Sequence, residues 1–133
     1  MTPERIARSF AAQGMMATLG ARLVEAGDGR AVIEAPVRAE TSQQHGYAHA
    51  ALTFAIGDSA AGYAALSAMP EGREVLTSEI KINLVAPARG PVLRAEGKVV
   101  RAGRRLVVVT AEVRDAQGLV AILQGTMVPV AAT

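Results

Sequence analysis

The sequence predicts an α+β fold, with one long helix laid across an antiparallel sheet of six strands. Two observations lead there. From His49 to Met69 the chain carries no Lys, Arg or Glu and a single acid, Asp58, which suits a helix of roughly 30 Å buried nearly all round. Around that stretch lie six short apolar or alternating runs separated by turn residues. Short connections make neighbouring strands antiparallel, and a lone helix then covers one sheet.

The elements follow in order. Near the N-terminus, Thr2 is placed to cap a helix with Pro3 at its first position, and Ile6, Phe10 and Met15 or Met16 share a side. Glu4, Arg5, Arg8, Gln13 and Gly14 interrupt any secretory apolar core, so a cytoplasmic location is expected. Asp28-Gly29 between Ala21–Ala26 and Ala31–Val37 signals a hairpin. Arg38–Ala48 is polar and turn-like. After the long helix, Pro70-Glu71-Gly72 is a stop. Thr77–Val85 then alternates, with Ile80, Ile82 and Leu84 on one face and Glu79, Lys81 and Asn83 on the other. Val92–Ala102, Arg105–Arg114 and Leu119–Val130 complete the strands, joined at Ala102-Gly103 and Asp115–Gly118.

Composition bounds the function. A chain of 133 residues, half of them hydrophobic, suits one domain spanning 1–133 with a packed core. Aromatics are limited to Phe10, Tyr47, Phe54 and Tyr63, so small aliphatic residues must fill the interior. The absence of cysteine excludes a disulfide scaffold, a thiolate metal site and a cysteine nucleophile. The formal charge is +2 and the arginines are interleaved with acids, which argues against nucleic acid as a partner. A membrane span over His49–Met69 is disfavoured because the run is built from Ala, Gly and Ser. Asp58 at its centre would also cost about 2.5–3.5 kcal/mol to insert. A single sheet covers one side of such a helix, so a second subunit is expected against the other.

Residues able to do chemistry cluster between Gln43 and Asp58. A lone carboxyl in an apolar helix is desolvated, which raises its pKa toward useful base strength. Equally, such an Asp can sit at a subunit interface, satisfied by an arginine or a backbone amide. His49 opens the helix, where unpaired N–H groups and the helix dipole favour a developing oxyanion. By itself His49 reads as a capping or packing residue, and Gln43 and Gln44 as a solvated loop. His45 and His49 have the spacing of helical metal ligands. Gly46 between them and the lack of a third ligand argue for no metal.

Taken together, Gln43, Gly46, His49, Ala50 and Asp58 form Q-x-x-G-x-x-H-A-A-x₆-D. This resembles the active-site segment of hot-dog fold thioesterases, especially the phenylacetate-pathway (PaaI-like) group and the related 4-hydroxybenzoyl-CoA thioesterases. Thr77-Ser-Glu-Ile-Lys-Ile-Asn-Leu-Val-Ala-Pro-Ala is similar to that family's strand and Pro-containing turn. The resemblance spans about residues 15–130. It implies a hot-dog fold and hydrolysis of an acyl- or aryl-CoA thioester, with coenzyme A part of the substrate and no separate cofactor. It further implies that Asp58 attacks the carbonyl or activates water, that Ala50 N–H is the oxyanion donor, and that Gln43 orients the thioester or water. His49 would hold the helix start and Thr77 position the water, with Gly46, Ala51 and Ser59 lining the substrate site. The implied assembly is a homodimer with shared sites, pairing as a dimer of dimers. The family's His-Gly-Gly is here His49-Ala50-Ala51, which keeps the N–H donor and adds two methyls beside the carbonyl. Two other readings stay open: a hydratase or dehydratase acting on acyl-CoA or acyl-carrier protein, and a non-catalytic acyl-CoA binder.

Overall fold

A computed structural model describes residues 2–132. Two short helices, α1 (Glu4–Ala12) and α2 (Gly14–Leu19), precede a hairpin of β1 (Arg22–Gly27) and β2 (Arg30–Pro36). After a loop comes the long helix α3 (Ala50–Ser67), then β3 (Arg73–Leu84), β4 (Val92–Ala102), β5 (Val107–Asp115) and β6 (Gly118–Ala131). All six strands form one antiparallel sheet in the order β1-β2-β4-β5-β6-β3. The sheet wraps around α3, as the sequence predicts. Asp28 and Gly29 turn the first hairpin with φ of 52° and 76°, the two positive values that a tight hairpin turn of matching twist requires.

Small residues let helix and sheet come close. Gly97, central in β4, faces the α3 backbone so tightly that a Cβ there would lie 2.4 Å from the Ala60 carbonyl. Ala60, Ala61, Ala64 and Ala65 are fully buried against that sheet. Branched side chains on the inner face, including Ile33, Leu93, Val109 and Val113, supply most of the remaining apolar burial.

Three expectations change in detail. Thr2 does not cap α1. Pro3 takes the cap position, with its carbonyl accepting from Ile6 and Ala7, while Thr2 Oγ1 accepts the Ala26 N–H at 3.0 Å. The N-terminal helix is interrupted at Gln13, whose extended ψ of 108° starts α2 afresh. Coverage of α3 also exceeds what one flat sheet allows. Ala60–Leu66 are buried within a single chain because the sheet curls and α1 lies over the helix, bringing Phe10 to 6.1 Å from the Tyr63 ring. What stays exposed is a stripe of Ala51 and Phe54 near the N-terminal end, with Ala55 half-buried beside it. Among the described residues no helix is long and apolar enough to cross a membrane.

Candidate active site

The loop before α3 is closed on itself. Gln43 N–H donates to Tyr47 O at 2.8 Å, Gly46 N–H donates to Gln43 O at 3.0 Å, and Ser42 bridges Ala48. Gly46, at φ 86°, supplies the left-handed residue of the turn. From outside, Ala48 N–H donates to Ala88 O at 2.8 Å, and Arg89 stacks its guanidinium 5.2 Å from the Tyr47 ring centre. Asp115 secures the far side of that contact. Burial alone would raise its pKa, but the N–H groups of Arg89, Gln117, Gly90 and Gly118 hold it below the ordinary value. One carboxylate thus ties the β5–β6 turn to the segment that fixes the helix start.

At that start His49 is the N-cap, and its Nδ1 accepts the Ala51 N–H at 2.9 Å. The next donor outward, Ala50 N–H, has no acceptor among the described residues. The positive end of an 18-residue helix therefore presents one free, exposed donor. It opens on a cleft of about 630 Å³ shared with Gln43, Tyr47, Thr53, Val85 and Val120. Ala51 lines the uncovered stripe with its methyl, its N–H already spent on His49. Gln43 Oε1 accepts the His45 N–H, which leaves its amide NH₂ for a ligand. His45 lies in the turn and not on the helix, so the metal-ligand spacing with His49 has no helical geometry behind it.

Asp58 is held elsewhere. Its Oδ1 accepts the Thr77 hydroxyl at 2.8 Å. Burial pushes the carboxyl above the ordinary aspartate value, and the Thr77 hydrogen bond opposes this without cancelling it. A bulge between Thr77 and Glu79 in the β3–β6 ladder makes the contact possible. Strict alternation would put Thr77 with Glu79 on the outer face; the extra residue, Ser78, lets Thr77 face the helix together with Ile80 and Ile82. Gly125, opposite Ile80, permits the close pairing, since a Cβ there would lie 2.4 Å from the Glu79 carbonyl.

Asp58, Ser59 and Thr77 line a second cleft of about 320 Å³ whose further walls come from α1 and the following loop. There Gln13 Nε2 donates to the Tyr63 hydroxyl at 2.8 Å, and Ser9 Oγ lies 3.1 Å from it. Sequence reading missed this Ser9–Gln13–Tyr63 group, whose one visible signal was a tyrosine inside an alanine-rich run. Asp58 stands eight residues beyond Ala50, about 12 Å along the helix axis. The structure therefore brings together Gln43, His49 and Ala50 in one place and Asp58, Ser59 and Thr77 in another. It does not join the two groups within one chain.

Comparison with known proteins gives this geometry its context. The family model described as the thioesterase superfamily matches residues 45–122. A protein named as an esterase from Saccharolobus solfataricus is 33% identical over 100 residues, covering 75% of this chain and 71% of its own. The crystal structure of a thioesterase family protein from Silicibacter pomeroyi is 38% identical with a TM-score of 0.93, over 97% of this chain and 98% of that one. The PaaI protein of the E. coli phenylacetic acid degradation operon shares the fold, with a TM-score of 0.86 at 23% identity over 95% and 91% of the two chains.

Proposed function

We propose, from the premise that this chain belongs to the thioesterase superfamily of hot-dog fold hydrolases, that its thioester substrate is an acyl- or aryl-coenzyme A. The observation that carries the catalytic assignment is the Asp58–Thr77 pair: a carboxyl desolvated by its helix, oriented by a hydroxyl from the facing strand. Asp58 attacks the thioester carbonyl or takes a proton from a water that does. Thr77 fixes the carboxylate and shares the water. As the tetrahedral intermediate forms, charge moves onto the carbonyl oxygen, and the free Ala50 N–H with the helix dipole behind it stabilises that charge. The Gln43 amide orients the thioester, and His49 keeps Ala50 in place by capping the next residue. Gly46 shapes the loop, and Ala51 and Ser59 border the path of the substrate.

A separation of about 12 Å is too great for Ala50 and Asp58 of one chain to reach the same carbonyl. The reading therefore requires two copies. Supporting it, β3 is a 12-residue edge strand that is mostly exposed, with Leu76 and Leu84, and Val85 just beyond it, more than half open to solvent. Such an edge is a template for pairing. Its one end borders the Asp58 cleft through Glu74–Thr77, and its other end borders the Ala50 cleft through Leu84 and Val85. Antiparallel pairing of β3 about a twofold axis near Ile80 would set Leu76 against Leu84 of the partner subunit. Each Asp58 cleft would then meet the Ala50 cleft of the other chain, giving two composite sites per dimer.

The deciding experiment offers purified protein a panel of acyl- and aryl-CoAs and follows free thiol. Release of coenzyme A, lost in Asp58→Asn, is the expected result. Tight binding with no thiol released would make the protein an acyl-CoA binder. Hydration or dehydration of the acyl chain with the thioester intact would assign it to that other chemistry.

A further inference from the structure

Thr53 has the one buried polar side chain that the described core contains, at 1% exposure, and its hydroxyl has no hydrogen-bond partner among the described residues. A threonine inside a helix ordinarily bonds the carbonyl four residues back. Here that carbonyl belongs to His49 and receives Leu52 N–H at 3.0 Å, while the Thr53 hydroxyl goes without. An orphaned buried hydroxyl is destabilising unless something else satisfies it. Thr53 lines the cleft that opens at Ala50, whose walls also include Leu84, Val85 and Val120. One turn further in, Gly57 faces Leu123 and Val113.

The position sets what can reach it. Thr53 follows Ala50 by three residues, about 4.5 Å along the axis, and its side chain leans back toward the N-terminus. A thioester whose oxygen rests on Ala50 N–H would carry its second and third acyl carbons past the Thr53 hydroxyl. No Lys, Arg, Asp or Glu of the same chain lines this cleft, which favours a neutral substituent over a charged one. We propose that Thr53 is a specificity-determining residue. Its hydroxyl pairs with a neutral hydroxyl or keto oxygen on the second or third acyl carbon, so that hydroxy- or oxoacyl thioesters are preferred to unsubstituted ones. This rests on the oxyanion role of Ala50 and the acyl-CoA reading above.

The test compares 3-hydroxybutyryl-CoA with butyryl-CoA in the native protein, Thr53→Val and Thr53→Ser. Native kcat/KM should favour the hydroxyacyl thioester by about tenfold, the scale of one buried hydrogen bond lost. Thr53→Val removes the hydroxyl at nearly constant shape. It should bring the ratio close to one by lowering turnover of the hydroxyacyl thioester, and should melt at higher temperature because the orphan is gone. Thr53→Ser should keep the preference. A native ratio near one, or an equal loss on both substrates in Thr53→Val, would overturn the proposal and leave the hydrolase reading standing. If neither thioester is hydrolysed, calorimetric binding of the same two compounds decides the Thr53 proposal. A hydroxyl preference lost in Thr53→Val supports it; equal binding, or no binding of either, overturns it.

Discussion

At its C-terminal end α3 gives its carbonyls to Arg5, whose guanidinium donates to Leu66 O and Met69 O at 2.9 Å and to Pro70 O at 3.2 Å. There Ser67 also accepts the Gly29 N–H at 2.8 Å and donates to Ala64 O, fastening the first hairpin to the helix. At its N-terminal end the same helix leaves Ala50 N–H and the Thr53 hydroxyl unmatched, beside an exposed apolar stripe. One end is finished by contacts within the chain, and the other is where the proposed substrate and second chain would bind. Each unsatisfied group in a native protein calls for an explanation, and a bound ligand is one.

This contrast can be broken at either end. Asp58→Asn, at the open half, should lower hydrolysis by at least about a hundredfold, the low end for a lost general base. Its effect on folding should have the opposite sign. Burial raises the folded-state pKa of Asp58 above its unfolded value, so its contribution to stability is full below the unfolded pKa and is lost as pH rises through the folded one. The Asn variant should therefore melt above the native protein at neutral pH, and the gap should close in acid. Ala50→Pro removes the proposed oxyanion donor at the first helical position, where proline fits, and His49, at ψ 143°, already has the backbone that precedes proline. Turnover should fall by about 10²–10³ with the melting temperature nearly unchanged; undiminished turnover would remove Ala50 from the mechanism.

Arg5→Ala attacks the closed end. It should cost about 1–2 kcal/mol of stability through the carbonyls left bare, read by denaturant titration, and leave kcat alone. The smallest effect belongs to Thr77→Val. Losing the hydrogen bond that lowers the Asp58 pKa should move the acid limb of the rate profile to higher pH, and Thr77→Ser should restore it.

The two ends were not equally legible in the sequence. The buried helix, the Asp28-Gly29 turn and the strand order of events along the chain follow from composition and local turn chemistry, and His49 was open to reading as a cap because its place before an apolar run is local information. The partner of Asp58 was not readable from spacing. Alternation set Thr77 on the face away from the helix, and the bulge that reverses it depends on Gly125, nearly fifty residues away, as the pairing partner of Ile80. Coverage of α3 was underestimated for a similar reason. Sheet curl and the return of α1 over Tyr63 are tertiary facts that helix periodicity does not encode. Thr53 carried a faint signal, a hydroxyl within the apolar stretch Ala50–Gly57, that gained meaning when its lack of a partner became visible.

The central claim is that one working site takes Ala50 from one chain and Asp58 from another, and mixing two inactive variants tests it most directly. Ala50→Pro and Asp58→Asn homodimers should each be nearly inactive. After dissociation and reassociation about half the dimers are mixed, and in each of those one site combines an intact Ala50 with an intact Asp58 while its twin carries both defects. With independent sites, activity should return to about a quarter of native. If mass measurement verifies the exchange and activity stays at the average of the two parents, the residues do not meet across the interface, and the shared-site account is wrong.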